Sequence, residues 1–342
     1  APEIQRCCRQ ITVVVGKTER DELRHPARSH LPVIHCALNA KNRPSRKVIT
    51  VLYCVRIICI QGREFMAETQ LQDRTVKGLL QFTIPTGETP VTQVSVSGGG
   101  RTDPKTGNYE MKEITIHDGR PTADQLDMEI QGYQFLKSDT AVTDFTDDQQ
   151  VMEIYYPELE KLLLEATGAS KVVIFDHTIR IGDPEKREAL GVRDPVRSAH
   201  NDFTDRSAPA RVRDLLPPDE ADDRLKRRYT SVNIWRPLTG PVQIDPIAIC
   251  AWDSIGKDDM IPAERNYGNR VGGILNLSHN PDQKWSYFPD MERDEVILLK
   301  CFDSELDGRA RWTAHAAFED PNGPDLSLPA RESIEVRTLI FY

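Results

Sequence analysis

No stretch of this 342-residue chain supplies the roughly 18 consecutive apolar residues a membrane-crossing helix needs. The longest run, Val48 to Ile60, is broken by Arg56. Positive charge is not in excess either: 44 Lys and Arg stand against 53 Asp and Glu, a formal net charge of -9. Such a chain has no electrostatic reason to seek nucleic acid or anionic lipid, so neither is expected as a partner. The charge serves solubility. A charged start, apolar stretch and small-residue cleavage site are not found in that order at the N-terminus, so no secretory signal is expected. Cysteine is scarce after the first 59 residues, where Cys7, Cys8, Cys36, Cys54 and Cys59 cluster; only Cys250 and Cys301 follow. No pair has CxxC spacing, which removes the zinc-knuckle reading and leaves reduced thiols in the cytoplasm as the expectation. A GxSxG elbow is also missing, which sets aside a serine hydrolase built around His200.

What is present suits a packed core: 39% hydrophobic and 28% charged residues. Residues 1–65 hold the cysteine cluster, many basic residues and three histidines without clean periodicity. They are expected to be an atypical, poorly ordered N-terminal extension, with the folded domain spanning 66–342. From there the pattern predicts strands at Val76–Ile84 and Met111–His117. A helix follows Thr146-Asp-Asp-Gln149, is kinked or restarted at Pro157 and ends at Gly168. Lys171–Asp176 reads as a short buried strand and Gly182–Ser198 as turn-rich. Ala208–Arg228 reads as helix broken by Pro217-Pro218. Strands are then expected at Tyr229–Trp235, Ile247–Asp253, Gly273–Leu277, Trp285–Phe288, Glu295–Phe302, Arg311–Phe318 and Ser333–Tyr342. Many short strands behind a helical front predict an α+β, mainly β fold: a barrel or sandwich with helices packed outside.

The residues that carry chemistry begin with His200-Asn201-Asp202. On a strand, positions i and i+2 share a face, so an imidazole and a carboxylate would stand side by side. His315 lies on another expected strand. Two histidines and one carboxylate leave half the coordination sphere of a metal free, as Fe(II) oxygenases require for co-substrate and O2. HxD alone arises often by chance; the order of the parts strengthens it. Sixteen positions after His315 comes Arg331-Glu332-Ser333. A guanidinium and a hydroxyl on one strand face can clamp a carboxylate such as the far end of 2-oxoglutarate. Arg331 is the first candidate; Arg337 shares the face and competes, with an ion pair to Glu335 as its bland alternative. Asn233 either binds co-substrate or substrate or makes a barrel-core hydrogen bond. Arg236 points the opposite way by simple pleat. His177 is read as a structural hydrogen-bonding residue, Lys300 and Asp303 as an ion pair, and Tyr287 as either a phenol near the co-substrate or a packing residue. A non-catalytic barrel retaining a relic site, and a metal-dependent barrel enzyme that does not use 2-oxoglutarate, are the alternatives.

Several blocks also carry a resemblance. Among them are Gly132-Tyr-Gln-Phe135, Tyr155-Tyr-Pro-Glu158, Val173-Ile-Phe-Asp-His-Thr-Ile-Arg180, His200-Asn-Asp202 and Val232-Asn-Ile-Trp-Arg-Pro237. Leu298-Leu-Lys-Cys-Phe-Asp-Ser304, His315-Ala-Ala-Phe-Glu-Asp-Pro321 and Arg331-Glu-Ser-Ile-Glu-Val-Arg337 complete the set. In this order, from about Leu79 to Tyr342, the chain resembles the CmcJ/AsaB-type hydroxylase/desaturase group, sometimes labelled a gibberellin-desaturase family. The resemblance implies a double-stranded β-helix (jelly-roll, cupin-like) barrel. It also implies Fe(II), 2-oxoglutarate as co-substrate, and O2-dependent oxidation of small natural products or amino acids in secondary metabolism. It carries the metal role onto His200, Asp202 and His315, and makes Arg331 and Arg337 the co-substrate candidates. One departure is visible: Ala314 and Ala316 flank the last histidine, where the family usually has Pro and Thr.

Overall fold

The computed structural model describes residues 74–94 and 104–342. The expected extension over 1–65 lies outside the described residues. In chain order the strands are β1 (Thr75–Ile84), β2 (Val91–Gln93), β3 (Asn108–Asp118), β4 (Tyr133–Lys137), β5 (Lys171–Ile181), β6 (His200–Asn201) and β7 (Tyr229–Pro237). They continue with β8 (Ile247–Cys250), β9 (Met260–Asn266), β10 (Val271–Leu277), β11 (Trp285–Tyr287), β12 (Glu295–Asp303), β13 (His315–Ala317) and β14 (Glu332–Phe341). Among the described residues five α-helical segments join them: α1 (Asp148–Gln150), α2 (Tyr156–Thr167), α3 (Pro184–Leu190), α4 (Ser207–Leu215) and α5 (Pro218–Arg224).

The strands form two sheets. The larger runs β1-β3-β11-β8-β13-β6-β10-β9-β2 and the smaller β4-β12-β7-β14-β5. Every pairing in the smaller sheet is antiparallel. Period-2 alternation gives that sheet two working faces. Ile234, Leu298 and Val336 point to one side, where Leu159 and Leu163 of α2 cover them with fully buried side chains. Trp235, Leu299 and Leu339 point to the other, where they meet Ile247 and Ile249 of the larger sheet. Each fully buried Leu or Ile contributes about 1.5–3 kcal/mol. A curled, mainly β barrel with helices outside is what the sequence pattern and the resemblance led to expect.

Local signals worked where they were strong. Asp147 caps α1 by accepting from the Gln149 backbone N–H, one π-helical turn (Val151–Tyr155) follows, and Pro157 sits in the first turn of α2. Gly168 closes α2 at φ 66, a left-handed conformation that glycine adopts without steric cost.

The differences have physical causes. The strand expected at Lys171–Asp176 runs on to Ile181, because its second half pairs residue by residue with β14. It is half-buried rather than buried: one face lines a cavity. The strand expected over Arg311–Phe318 shrinks to His315–Ala317, and the HxD strand to His200–Asn201. Helix α3 lies inside the segment read as turns; Asp183 caps it and Gly191 ends it. Strands β2, β4 and β9 were not expected. Strand β9 contains Pro262 and charged residues, and it forms because β10 offers it seven antiparallel partners and β2 three parallel ones.

Candidate metal and ligand-binding site

The two histidines meet because β6 and β13 are neighbours. His315 pairs with His200 across an antiparallel ladder, and their ring centroids lie 4.7 Å apart. Asp202 sits one residue beyond the end of β6, with Oδ1 3.6 Å from His200 Nε2. All three side chains are buried. Each histidine is locked by its own neighbour two residues back. His200 Nδ1 lies 2.8 Å from the Ser198 carbonyl, and His315 Nδ1 lies 3.0 Å from the Thr313 carbonyl. A carbonyl only accepts, so each Nδ1 carries the proton and donates it, which leaves each Nε2 with a free lone pair. Burial first, then the nearness of His315 and Arg265, pushes the His200 imidazole well below its usual range and keeps it neutral.

Asp202 has the opposite treatment. Burial would raise its pKa, but the charges of Arg337 and Arg265 outweigh that and hold it well below the usual carboxylate range. Arg337 Nε donates to Asp202 Oδ2 at 3.2 Å, and Arg265 lies 3.5 Å from Oδ1. Asn233 Nδ2 donates to Asp202 Oδ2 and to Glu335 Oε1, both at 2.7 Å. Glu335 therefore stands beside the pair. Donor atoms of Asp202, His315 and Glu335 fall within 4.8 Å of one another, which makes Glu335 a rival ligand. Both of its oxygens are already engaged, Oε1 by Asn233 and Oε2 by Arg337 at 3.5 Å. The His200 Nε2 lone pair has no such partner to give up. Two imidazole nitrogens and one ionised carboxylate, oriented by outer hydrogen bonds, suit a divalent first-row metal.

The two candidate arginines differ in what surrounds them. Arg337 is saturated with acids and hydroxyl: Asp202, Asp176 and Thr178 at 3.0–3.2 Å, and Glu335. Arg331 precedes β14 and is buried. Its Nη1 donates to the Asp245 carbonyl at 2.6 Å, its guanidinium lies 5.5 Å from the Trp235 ring, and its buried Nε has no partner. Burial lowers its pKa to about 10. Ser333, also buried, is paired through its backbone with Arg180 and Pro237.

A cavity of about 1180 Å³ opens over His200 and Asp202. Arg180, Arg265 and Arg337 are among its lining side chains. The other singled-out residues lie elsewhere. Arg236, fully buried, donates from Nε to Tyr155 Oη at 2.8 Å on the helix-covered face. His177 bonds Tyr156 Oη at 2.9 Å, Lys300 pairs with Asp303 at 3.0 Å, and Tyr287 packs edge-on against Phe318. Glu335 as a site member, Arg180 and Arg265 were missed. A signal existed for two of them: Asp176, Thr178 and Arg180 are spaced by two, as are Ser333, Glu335 and Arg337, so each strand carries a polar inward face. Arg265 sits on β9, where nothing in the pattern announced a strand.

Comparison with known proteins gives a consistent picture. A family described as an oxidoreductase/YMDC permease-like domain matches residues 80–341. The hydroxylase/desaturase efuI of Hormonema carpetanum is 34% identical over 257 residues, 68% of this chain and 85% of that protein. The hydroxylase/desaturase asaB of Aspergillus flavus is 39% identical over 145 residues, 38% of this chain and 63% of that one. The solved structure of the iron and alpha-ketoglutarate-dependent endoperoxidase NvfI superimposes with a TM-score of 0.68 at 29% identity, covering 78% of this chain and 98% of that chain.

Proposed function

This chain belongs to the CmcJ/AsaB-type hydroxylase/desaturase family of Fe(II)/2-oxoglutarate-dependent oxygenases, and on that footing we propose that His200, Asp202 and His315 are its iron ligands. The enzyme is a non-haem oxidoreductase that acts on a small molecule with O2 as co-substrate. The observation that supports the ligand assignment is the pair of backbone carbonyls, Ser198 and Thr313, that fix both imidazoles with Nε2 bare beside an ionised carboxylate. Iron with 2-oxoglutarate and O2 supplies an oxidant able to break an unactivated C–H bond. Everything else falls to the protein. Arg337, Arg265 and Asn233 hold Asp202 ionised and aimed. Arg331, with its unpartnered Nε, is the proposed clamp for the distal carboxylate of 2-oxoglutarate, and Ser333 stands two residues along the chain. Arg337 is already spent on acids, so it acts by positioning Asp202. Trp235 and the apolar inner face behind it keep water out.

The substrate is proposed to be a natural product or amino-acid derivative, changed by hydroxylation, desaturation or ring closure. The proposal extends to a cytoplasmic setting, where the two buried free thiols, Cys250 and Cys301, stay reduced; no helix among the described residues is long and apolar enough to cross a membrane. A non-catalytic barrel is not favoured, since the relatives are named as hydroxylases, desaturases and dioxygenases. Anaerobic titration with Fe(II) and then 2-oxoglutarate tests the reading. A metal-to-ligand charge-transfer band should appear with the intact protein and vanish in His200→Ala, Asp202→Ala and His315→Ala; a band that survives all three replacements refutes the ligand set.

A further inference from the structure

Arg180 is the unexplained charge in this site. It lies on β5, is 8% exposed, and lines the cavity over His200 and Asp202. Its one hydrogen bond runs from Nη1 to the Asp194 carbonyl at 2.9 Å. Among the described residues no carboxylate comes within ion-pair distance of it. The nearby acids are taken: Asp176, Asp202 and Glu335 all contact Arg337. A buried cation without an anion is costly, and a guanidinium presents a planar fork suited to a carboxylate.

The rest of the cavity leans the same way. Nine lysine and arginine side chains line it against five aspartates and glutamates; Arg197, Arg211, Arg265 and Arg337 are ion-paired, two of them with acids outside the lining, whereas Arg180 is not. Lys105, which also lines the cavity, donates to Ser198 Oγ at 2.9 Å and to Gln81, both neutral, and it faces no acid among the described residues. At the rim, Arg270 lies 4.1 Å from the ring of Tyr267, exposed and equally without an acid. Bound iron adds two positive charges and 2-oxoglutarate two negative ones, so loading the site leaves these three unpaired cations in place. Near 1180 Å³, the cavity has ample room beside the co-substrate for a molecule of several fused rings.

We propose that the substrate of this enzyme carries an anionic group, a carboxylate in the natural-product class, and that Arg180 receives it while Lys105 and Arg270 draw it in. This rests on the oxygenase reading for its location but not for its test. The probes are anilinonaphthalene sulfonate and its neutral counterpart N-phenylnaphthylamine, two fluorophores of the same apolar skeleton. The iron- and 2-oxoglutarate-loaded protein, held anaerobic, should bind the anion at least about tenfold more tightly, the value of one charge-assisted hydrogen bond. Arg180→Gln should erase most of that preference and Arg180→Lys should keep most of it, with the charge-transfer band reporting in the same samples that each variant is folded and loaded. Equal binding of the two probes, no binding of the anion, or a preference unchanged in Arg180→Gln overturns the proposal. A missing band with the anion preference intact would instead count against the oxygenase reading alone.

Discussion

Replacing Arg331 and Arg337 in turn by methionine separates two roles that the sequence leaves equivalent. Arg331 has one bond to the Asp245 carbonyl and a buried Nε with no partner. Exchanging it for methionine loses that one bond but also relieves the cost of a buried unpaired charge, and the two effects roughly offset. Metal-free Arg331→Met should therefore unfold within about 1 kcal/mol of the parent. Arg337 holds Asp202, Asp176 and Glu335 together. Its loss strands two buried carboxylates, and metal-free Arg337→Met should be about 3–5 kcal/mol less stable. The order reverses for 2-oxoglutarate. A clamp bond to a charged group is worth about 1.5–3 kcal/mol, so Arg331→Met should weaken co-substrate binding roughly 10- to 150-fold. Urea unfolding reads the first quantity, and anaerobic titration of the charge-transfer band reads the second. A weakened co-substrate affinity confined to Arg337→Met, with Arg331→Met unaffected, would show that the clamp has been assigned to the wrong arginine.

Other perturbations follow from the same geometry. Gly132 adopts φ +91, and a Cβ there would meet Thr313 Oγ1 at 2.5 Å. Thr313 also supplies the carbonyl that orients His315, so Gly132→Ala should lower both the melting temperature and the affinity for Fe(II); a variant losing only stability would uncouple that turn from the site. Leu159→Ala, fully buried under the smaller sheet, should cost about 2–5 kcal/mol in urea unfolding while leaving the charge-transfer band in place. Burial pushes the Glu295 carboxyl up, but its bonds to Arg120 bring it down to about 2, so the pair's stabilisation is present above the usual 4.5 and is lost as pH falls toward 2. Glu295→Gln should flatten the acid limb of the stability curve between those values, and an unchanged slope would mean the pair is energetically idle.

The sequence by itself carried the barrel and most of the candidate site. Short, largely apolar runs at Tyr229–Trp235 and Glu295–Phe302 marked strands, and these are buried on both faces because one face meets α2 and the other meets the opposite sheet. HxD, the later histidine and the closing arginines were legible because their side-chain chemistry is rare in combination. Tertiary structure alone decided the rest. Asp202 stands just past its strand, so it was the turn after β6, and not the pleat, that brought it beside His200. Arg337 and Arg331 share a strand pattern, yet one met three acids and the other a carbonyl and a tryptophan face. Apart from Glu335, two residues back on the same strand, those partners come from β5, the residue after β6, β7 and the loop before β8, more than eighty residues away in sequence. Long-range pairing selects partners by register, and register is settled only when both sheets close over a common core.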